Sequence, residues 1–360
     1  METPPARTAP PSSRDAEAVD WAAAAHRARR LARPGPDLPA GELAEFVAEL
    51  RQSAKDAPAH VGAVTGLLEP ALQAGAGPVY VLDRPRWAEA NLAMLRSLVG
   101  DLLPRPSTTW GARATGTQIG TVLAMLSSRV LGQYDPYTTT SDGTGRLVLV
   151  APTILTIQRE MQVRRGDFGL WVCLHEQTHA LQFAAAPWLA DHMRATMRSL
   201  MGSLAEPDTG IDRIAKITRA LPKALRGEGA DTPAGALTDA VLSEQERELF
   251  AESVAMMSLL EGHADVVMDE VGPDVVPTVA TIRRKFERRR SGASRIDVLL
   301  RRLLGLDAKL AQYRNGAAFV RGVVAEVGHD GFNAVWSAPE HLPTAAEVAD
   351  PAAWVRRVHG

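Results

Sequence analysis

Cysteine is almost missing from this chain: Cys173 is the only one in 360 residues. No intrachain disulfide can form, and a zinc site built on cysteines is excluded. Cys173 stands two positions before a histidine, too close in register to share its helix face, so it reads as a core thiol. Long apolar runs are also missing, and none approaches the roughly 18 residues of a membrane span. The opening stretch 1–14 holds four prolines and no apolar centre, unlike a secretory signal. A cytoplasmic protein without membrane contact is the expectation. Nor is there an excess of charge: 40 basic against 42 acidic residues leave a net charge of −2. Nothing global therefore points to nucleic acid. The one basic run, Arg283-Arg284-Lys285 to Arg288-Arg289-Arg290, reads as a solvated helix face with some i, i+4 pairing.

What is present is a motif. Residues 175–179 read His-Glu-x-x-His, which on a helix puts His175 and His179 one turn apart on one face. Two neutral imidazoles so placed can bind one Zn²⁺, leaving Glu176 to act as base on an activated water. With 9 His and 21 Glu in the chain, chance would produce the pattern roughly 0.01 times.

The surrounding pattern is predominantly helical with a few short strands. Residues 1–17 read as a disordered tail rich in Pro and Ser. Residues 18–135 read as an N-terminal helical layer, with helices near 21–30, 40–57, 59–72, 86–98 and 115–131. The last has Gly116, Gly120 and Ala124 on one side. Residues 79–82 and 146–150 are apolar runs between turn residues, and so strands. The stretch 134–145 is a loop by composition. From 136 to 360 the pattern suits a catalytic core, interrupted by a Pro-, Gly- and Asp-rich insertion at 206–238. Asp167 is placed to cap the motif helix, along which Phe168, Trp171, Val172, His175, His179 and Gln182 form one inward stripe. Ser243-Glu-Gln-Glu246 is a capping box that opens a long helix to about Glu270. The end, 331–358, is irregular, with Trp336 and Trp354 as anchors.

A catalytic zinc needs a third protein ligand and a fourth position for water. On the long helix, the stripe Phe250, Val254, Met257, Glu261, Ala264, Met268 is apolar except at Glu261. A carboxylate buried there calls for a cation, which makes Glu261 the candidate ligand. Asp265, one turn on, could accept the free ring N–H of a ligating histidine. His263 is the rival ligand, but it stands two positions from Glu261 and does not face the same point from a straight helix. His263 and Tyr313 are the candidates for stabilising an oxyanion or for contacting substrate.

His-Glu-x-x-His with a later Glu-x-x-x-Asp resembles the gluzincin side of the zincin metallopeptidases. More closely, the chain is similar to an actinobacterial zincin-like family of hydrolases, also described as associated with coenzyme F-420 biosynthesis. The similar stretches are 81–85, 131–136, the His175 motif with Gln182-Phe183 and Pro187-Trp188, 261–265, 303–309 and 331–336. The resemblance implies an α+β, mostly helical zincin-like core with a small sheet, and Zn²⁺ as cofactor. It implies amide hydrolysis of a peptide or small amide substrate, with the strand 146–150 offering an edge to the substrate. The competing expectation is a non-catalytic, zinc-stabilised binding or assembly protein tied to coenzyme F-420 biosynthesis.

Overall fold

Among the described residues, three helices make up one unit. Helix α1 (Trp21–Leu31) starts where the Asp20 carboxylate accepts the Ala23 N–H at 2.8 Å, an N-cap of the usual kind. Helices α4 (Arg84–Val99) and α5 (Thr109–Leu126) join it in a unit drawn from residues up to Pro34 and from Arg84–Arg129. A Cβ at Gly116 or Gly120 would run into the carbonyl oxygens of Asp20 and Ala24. The small-residue side of α5 is therefore what lets α1 lie backbone-close upon it. The computed structural model describes residues 17–100, 108–138, 145–204, 243–291 and 316–360. The expected 206–238 insertion, the stretch 303–309, Tyr313 and nearly all of the 1–17 tail lie outside them.

The second unit takes Gly35–Asp83 and Val130–Gly360. The stretch 18–135, expected as a single helical layer, is thus shared between both units. Residues 35–83 go with the motif helix because α2 (Ala40–Thr65) packs on it and β1 (Val79–Leu82) enters its sheet. Two helices were expected on either side of Pro58, yet α2 runs straight through it. Proline removes the N–H that would have bonded the carbonyl four residues back, that of Ala54. Gln177 of the motif supplies the missing donor, its Nε2 reaching Ala54 O at 3.0 Å. After α3 (Leu68–Gly75) comes a three-stranded sheet of order β1-β3-β2. Strand β3 (Arg146–Val150) pairs parallel with β1 and antiparallel with β2 (Gly132–Asp135). β2 falls where helix end and loop were expected. Its four residues carry no apolar alternation, and pairing with β3 makes it a strand. An Asp135–Arg146 ion pair of 2.9 Å closes its end.

Helices α6 (Ala151–Met161), α7 (Arg165–Ala185) and α8 (Leu189–Leu204) follow. Asp167 is not the cap of α7, which begins two residues earlier. Its carboxylate instead accepts from the N–H and hydroxyl of Thr278, at 3.1 and 2.6 Å, at the head of α10 (Val279–Ser291). The basic run on α10 is likewise more than a solvated face: Lys285 donates to Met161 O at 2.8 Å and Arg289 pairs with Glu160 at 3.0 Å. Helix α9 (Glu244–Glu270) opens with the full capping box at Ser243 and Glu246. Helix α11 (Gly316–Phe332) breaks at Gly328, whose φ of 71° suits glycine. The end of the chain folds into short helices, among them α12 (Ala345–Ala349) and α13 (Pro351–His359), with Trp336 and Trp354 buried as expected.

Two apolar clusters hold this unit. One joins α2, β3, α6 and α7 through Phe46, Leu50, Leu149, Ile154, Phe168 and Leu174. The other joins α9, α11 and the C-terminal helices through Leu259, Phe319, Phe332 and Trp354. The fold is α+β and mostly helical. None of the described helices is long and apolar enough to cross a membrane.

Candidate metal centre

Helix α7 meets α2 through Cys173 and Gln177, which face Leu50 O and Ala54 O, and His175 and His179 lie about half a turn around the helix from them. Cys173 is fully buried, with its Sγ directed at Leu50 O. Burial, seconded by Glu176, keeps it a thiol. On the opposite face, the Nε2 atoms of His175 and His179 converge to 3.2 Å with the rings at 89°. Helix α9 brings Glu261 up to them. One carboxylate oxygen lies 3.6 Å from His175 Nε2 and the other 3.6 Å from His179 Nε2.

These separations test whether the residues fit a metal. A tetrahedral zinc with bonds of about 2.0–2.1 Å has ligand atoms about 3.3–3.4 Å apart. The His175–His179 edge of 3.2 Å matches that spacing. Glu261 turns a different oxygen to each ring, and with one atom taken from each residue the three donors lie within 4.8 Å of one another. Two imidazoles with one carboxylate are a zinc-type donor set. Among the described residues this is the one group of His, Cys, Asp and Glu side chains gathered closely enough to hold an ion.

The charges point the same way. Burial disfavours a charged His175, yet its hydrogen bond to Glu261 and the charges of Glu176, Glu261 and Asp265 outweigh it and push the imidazole up to about 9. His179 is held below its ordinary value, first by burial and then by the neighbouring His175. Two converging nitrogens thus share one positive charge, and a divalent cation can take that proton's place. Glu176 is buried, and its carboxyl is pushed up to about 7; burial raises it most, His175 opposes and Glu261 adds. It lies directly under β2: a Cβ on Gly132 would sit 2.6 Å from its Cγ and 2.8 Å from its Oε1. Two residues along, the Tyr134 ring lies tilted at 32° against Phe183, centroids 5.6 Å apart, one helical turn past His179.

Three expectations need correction. The Glu261 side chain is 57 % exposed, and Met257 before it is also exposed. Burial is therefore not what calls for a cation at Glu261; its aim at both imidazoles is. Asp265 does not orient a ligating histidine by hydrogen bonding: its Oδ1 accepts from Arg283 at 3.2 Å, and Arg283 lies over Trp171. Gln182 does that work for His179, its Oε1 facing Nδ1 at 2.9 Å. The inward stripe contained Gln182, and its polarity amid apolar neighbours was the available signal. Finally, the edge strand is not β3, which is paired on both sides. Among the described residues β2 is paired on one side only, and it lies against α7.

His263 is fully buried on α9, with its ring packed on Phe332 and Trp336 and its Nδ1 at 3.1 Å from Gln182 Nε2. It faces neither the converging nitrogens nor solvent, which removes it as ligand and as oxyanion donor. Tyr313 lies outside the described residues.

No curated protein matches the chain. Among solved structures, it is similar to the crystal structure of a candidate hydrolase with a novel fold from Chloroflexus aurantiacus, at 29 % identity and a TM-score of 0.64. That match covers 94 % of this chain and 98 % of the other. Residues 19–355 match the zincin-like metallopeptidases, and the chain belongs to that family.

Proposed function

We propose that this protein is a zinc-dependent metallopeptidase that cleaves amide bonds of an extended peptide. The observation that carries the reading is the convergence of His175, His179 and Glu261 beside a buried Glu176, under a strand with an open edge. His175, His179 and Glu261 would hold Zn²⁺, whose contribution is Lewis acidity toward water and the scissile carbonyl. Glu176, with its carboxyl pushed up to about 7, is poised to take a proton from water near neutrality and to give it to the leaving amine. The free side of β2 can pair with substrate backbone, and Tyr134 with Phe183 offers apolar surface beside it.

A zinc kept for stability alone usually fills all four positions with protein ligands. The two residues that the sequence offers as a fourth ligand, His263 and Asp265, are engaged with Gln182 and Arg283. That favours the enzyme over a zinc-stabilised assembly protein. An association with coenzyme F-420 biosynthesis names no reaction and adds no residue to the site.

The test is metal analysis followed by a peptide-library digest. Glu176→Gln should keep zinc and lose hydrolysis, whereas His179→Ala should lose the metal. Undiminished cleavage by Glu176→Gln would sink the mechanism.

A further inference from the structure

Gln182 contains an amide whose two ends are chemically different, and its surroundings decide which end faces which. Its Nε2 lies 2.9 Å from the carbonyl oxygen of Leu260, a group that can only accept. The nitrogen must therefore point there, and the Oε1 is left facing His179 Nδ1 at 2.9 Å. An oxygen at that place requires a hydrogen on Nδ1. His179 is thereby held in the tautomer whose Nε2 lone pair points at His175 and Glu261, the form a metal ligand needs.

The second Nε2 hydrogen goes to His263. Its Nδ1 lies 3.1 Å away and must be unprotonated to accept, so the ring hydrogen sits on Nε2. That Nε2 is buried and has no hydrogen-bond partner among the described residues. A buried unsatisfied donor is unfavourable, and the ring tolerates one at Nε2 while keeping Nδ1 as an acceptor for Gln182. Packing alone would not select that arrangement, because a phenyl ring could fill the same space between Phe332 and Trp336.

We propose that His263 is a positioning residue for the metal centre: through Gln182 it fixes the tautomer and direction of His179. Helix α9 then supplies both the third ligand, Glu261, and the lock on the second, through Leu260 O and His263. The role of the lock in metal binding rests on the zinc reading above; the tautomer itself does not.

Two variants separate hydrogen bonding from packing. His263→Phe keeps the ring and removes the acceptor. His263→Asn leaves a smaller side chain but puts an oxygen close to where Nδ1 was. Zinc affinity is read by chelator competition, and the His179 tautomer by ¹⁵N-resolved NMR of the metal-free protein. Loss of such a supporting contact typically weakens metal binding about 10–100-fold. His263→Phe should weaken zinc at least about tenfold and give His179 a mixture of tautomers. His263→Asn should stay near wild type on both counts. Wild-type zinc affinity together with an unchanged tautomer in His263→Phe overturns the proposal. So does an Nε2-protonated His179 in the metal-free wild type, a measurement that needs no variant to fold. A wild type that holds the expected tautomer but binds no zinc would refute the metallopeptidase reading and leave the positioning chain standing.

Discussion

Glycine at position 132 is the most exacting requirement the site places on a residue outside the motif. Replacing it with alanine puts a methyl group 2.6 Å from Glu176 Cγ and 2.8 Å from both Cδ and Oε1. Ordinary van der Waals contact begins near 3.4 Å, so something must retreat by about 0.6–0.8 Å. The strand cannot easily do so, because Gly132 is paired with Leu149 and Leu131 O accepts the Val150 N–H at 2.8 Å. The carboxylate is the softer partner and yields. A displacement near 1 Å in a reacting group costs on the order of 100-fold in rate, which corresponds to about 2.7 kcal/mol of barrier. Gly132→Ala should therefore lower kcat on a cleaved peptide about 30–100-fold. Zinc content and thermal midpoint should hold, since the added methyl meets Glu176 and no ligand nitrogen. Steady-state kinetics beside metal analysis and a melting curve decide the matter. A kcat within threefold of wild type, with zinc bound, would refute the view that β2 seats the base.

Two further outcomes follow from buried polar groups. Gln177→Leu should leave Ala54 O without the donor that Pro58 cannot supply, a loss of about 1–3 kcal/mol; an unchanged urea midpoint would contradict it. His263 is held neutral, its imidazole lowered to about 3 by burial first and then by His329 and His179. The unfolded chain, with an ordinary histidine near 6.5, takes that proton first, so stability is lost as pH falls from about 6.5 toward 3, at up to about 1.4 kcal/mol per unit. In chelator-treated protein, His263→Phe should show a shallower loss over that window, and parallel curves for the two proteins would count against the assignment.

What could be read from the sequence was local. The capping box at Ser243 and Glu246, the small-residue side of α5 and the one-turn spacing of His175 and His179 are each set by neighbours along one helix. What could not be read depends on partners distant in the chain. β2 exists because β3 pairs with it, and α2 continues through Pro58 because Gln177 reaches Ala54 O from 123 positions away in sequence. Asp265 looked like a partner for a histidine, but Arg283 competes for it from α10 and carries a full charge. Glu261 shows the same limit in another way. An apolar stripe pointed to it, yet the stripe implied burial, and the structure leaves the residue at the open side of the centre.

Glu261 and His263 stand two residues apart, which on an α-helix is about 200° around the axis. That rotation forbids both from facing one ion, and it also explains how one helix can do two jobs. Glu261 takes the solvent side, where its exposure lets its oxygens turn toward both imidazoles. His263 takes the core side, where burial leaves a neutral ring with one acceptor. Gln182 spans the gap from α7, touching Leu260 O and His263 Nδ1 with its nitrogen and His179 with its oxygen. Any shift of α9 relative to α7 would therefore disturb the third ligand and the orientation of the second together. Such coupling suits a metal site assembled from two helices 82 residues apart, His179 to Glu261. It predicts that substitutions loosening the α7–α9 contact lower zinc affinity before they lower the melting temperature.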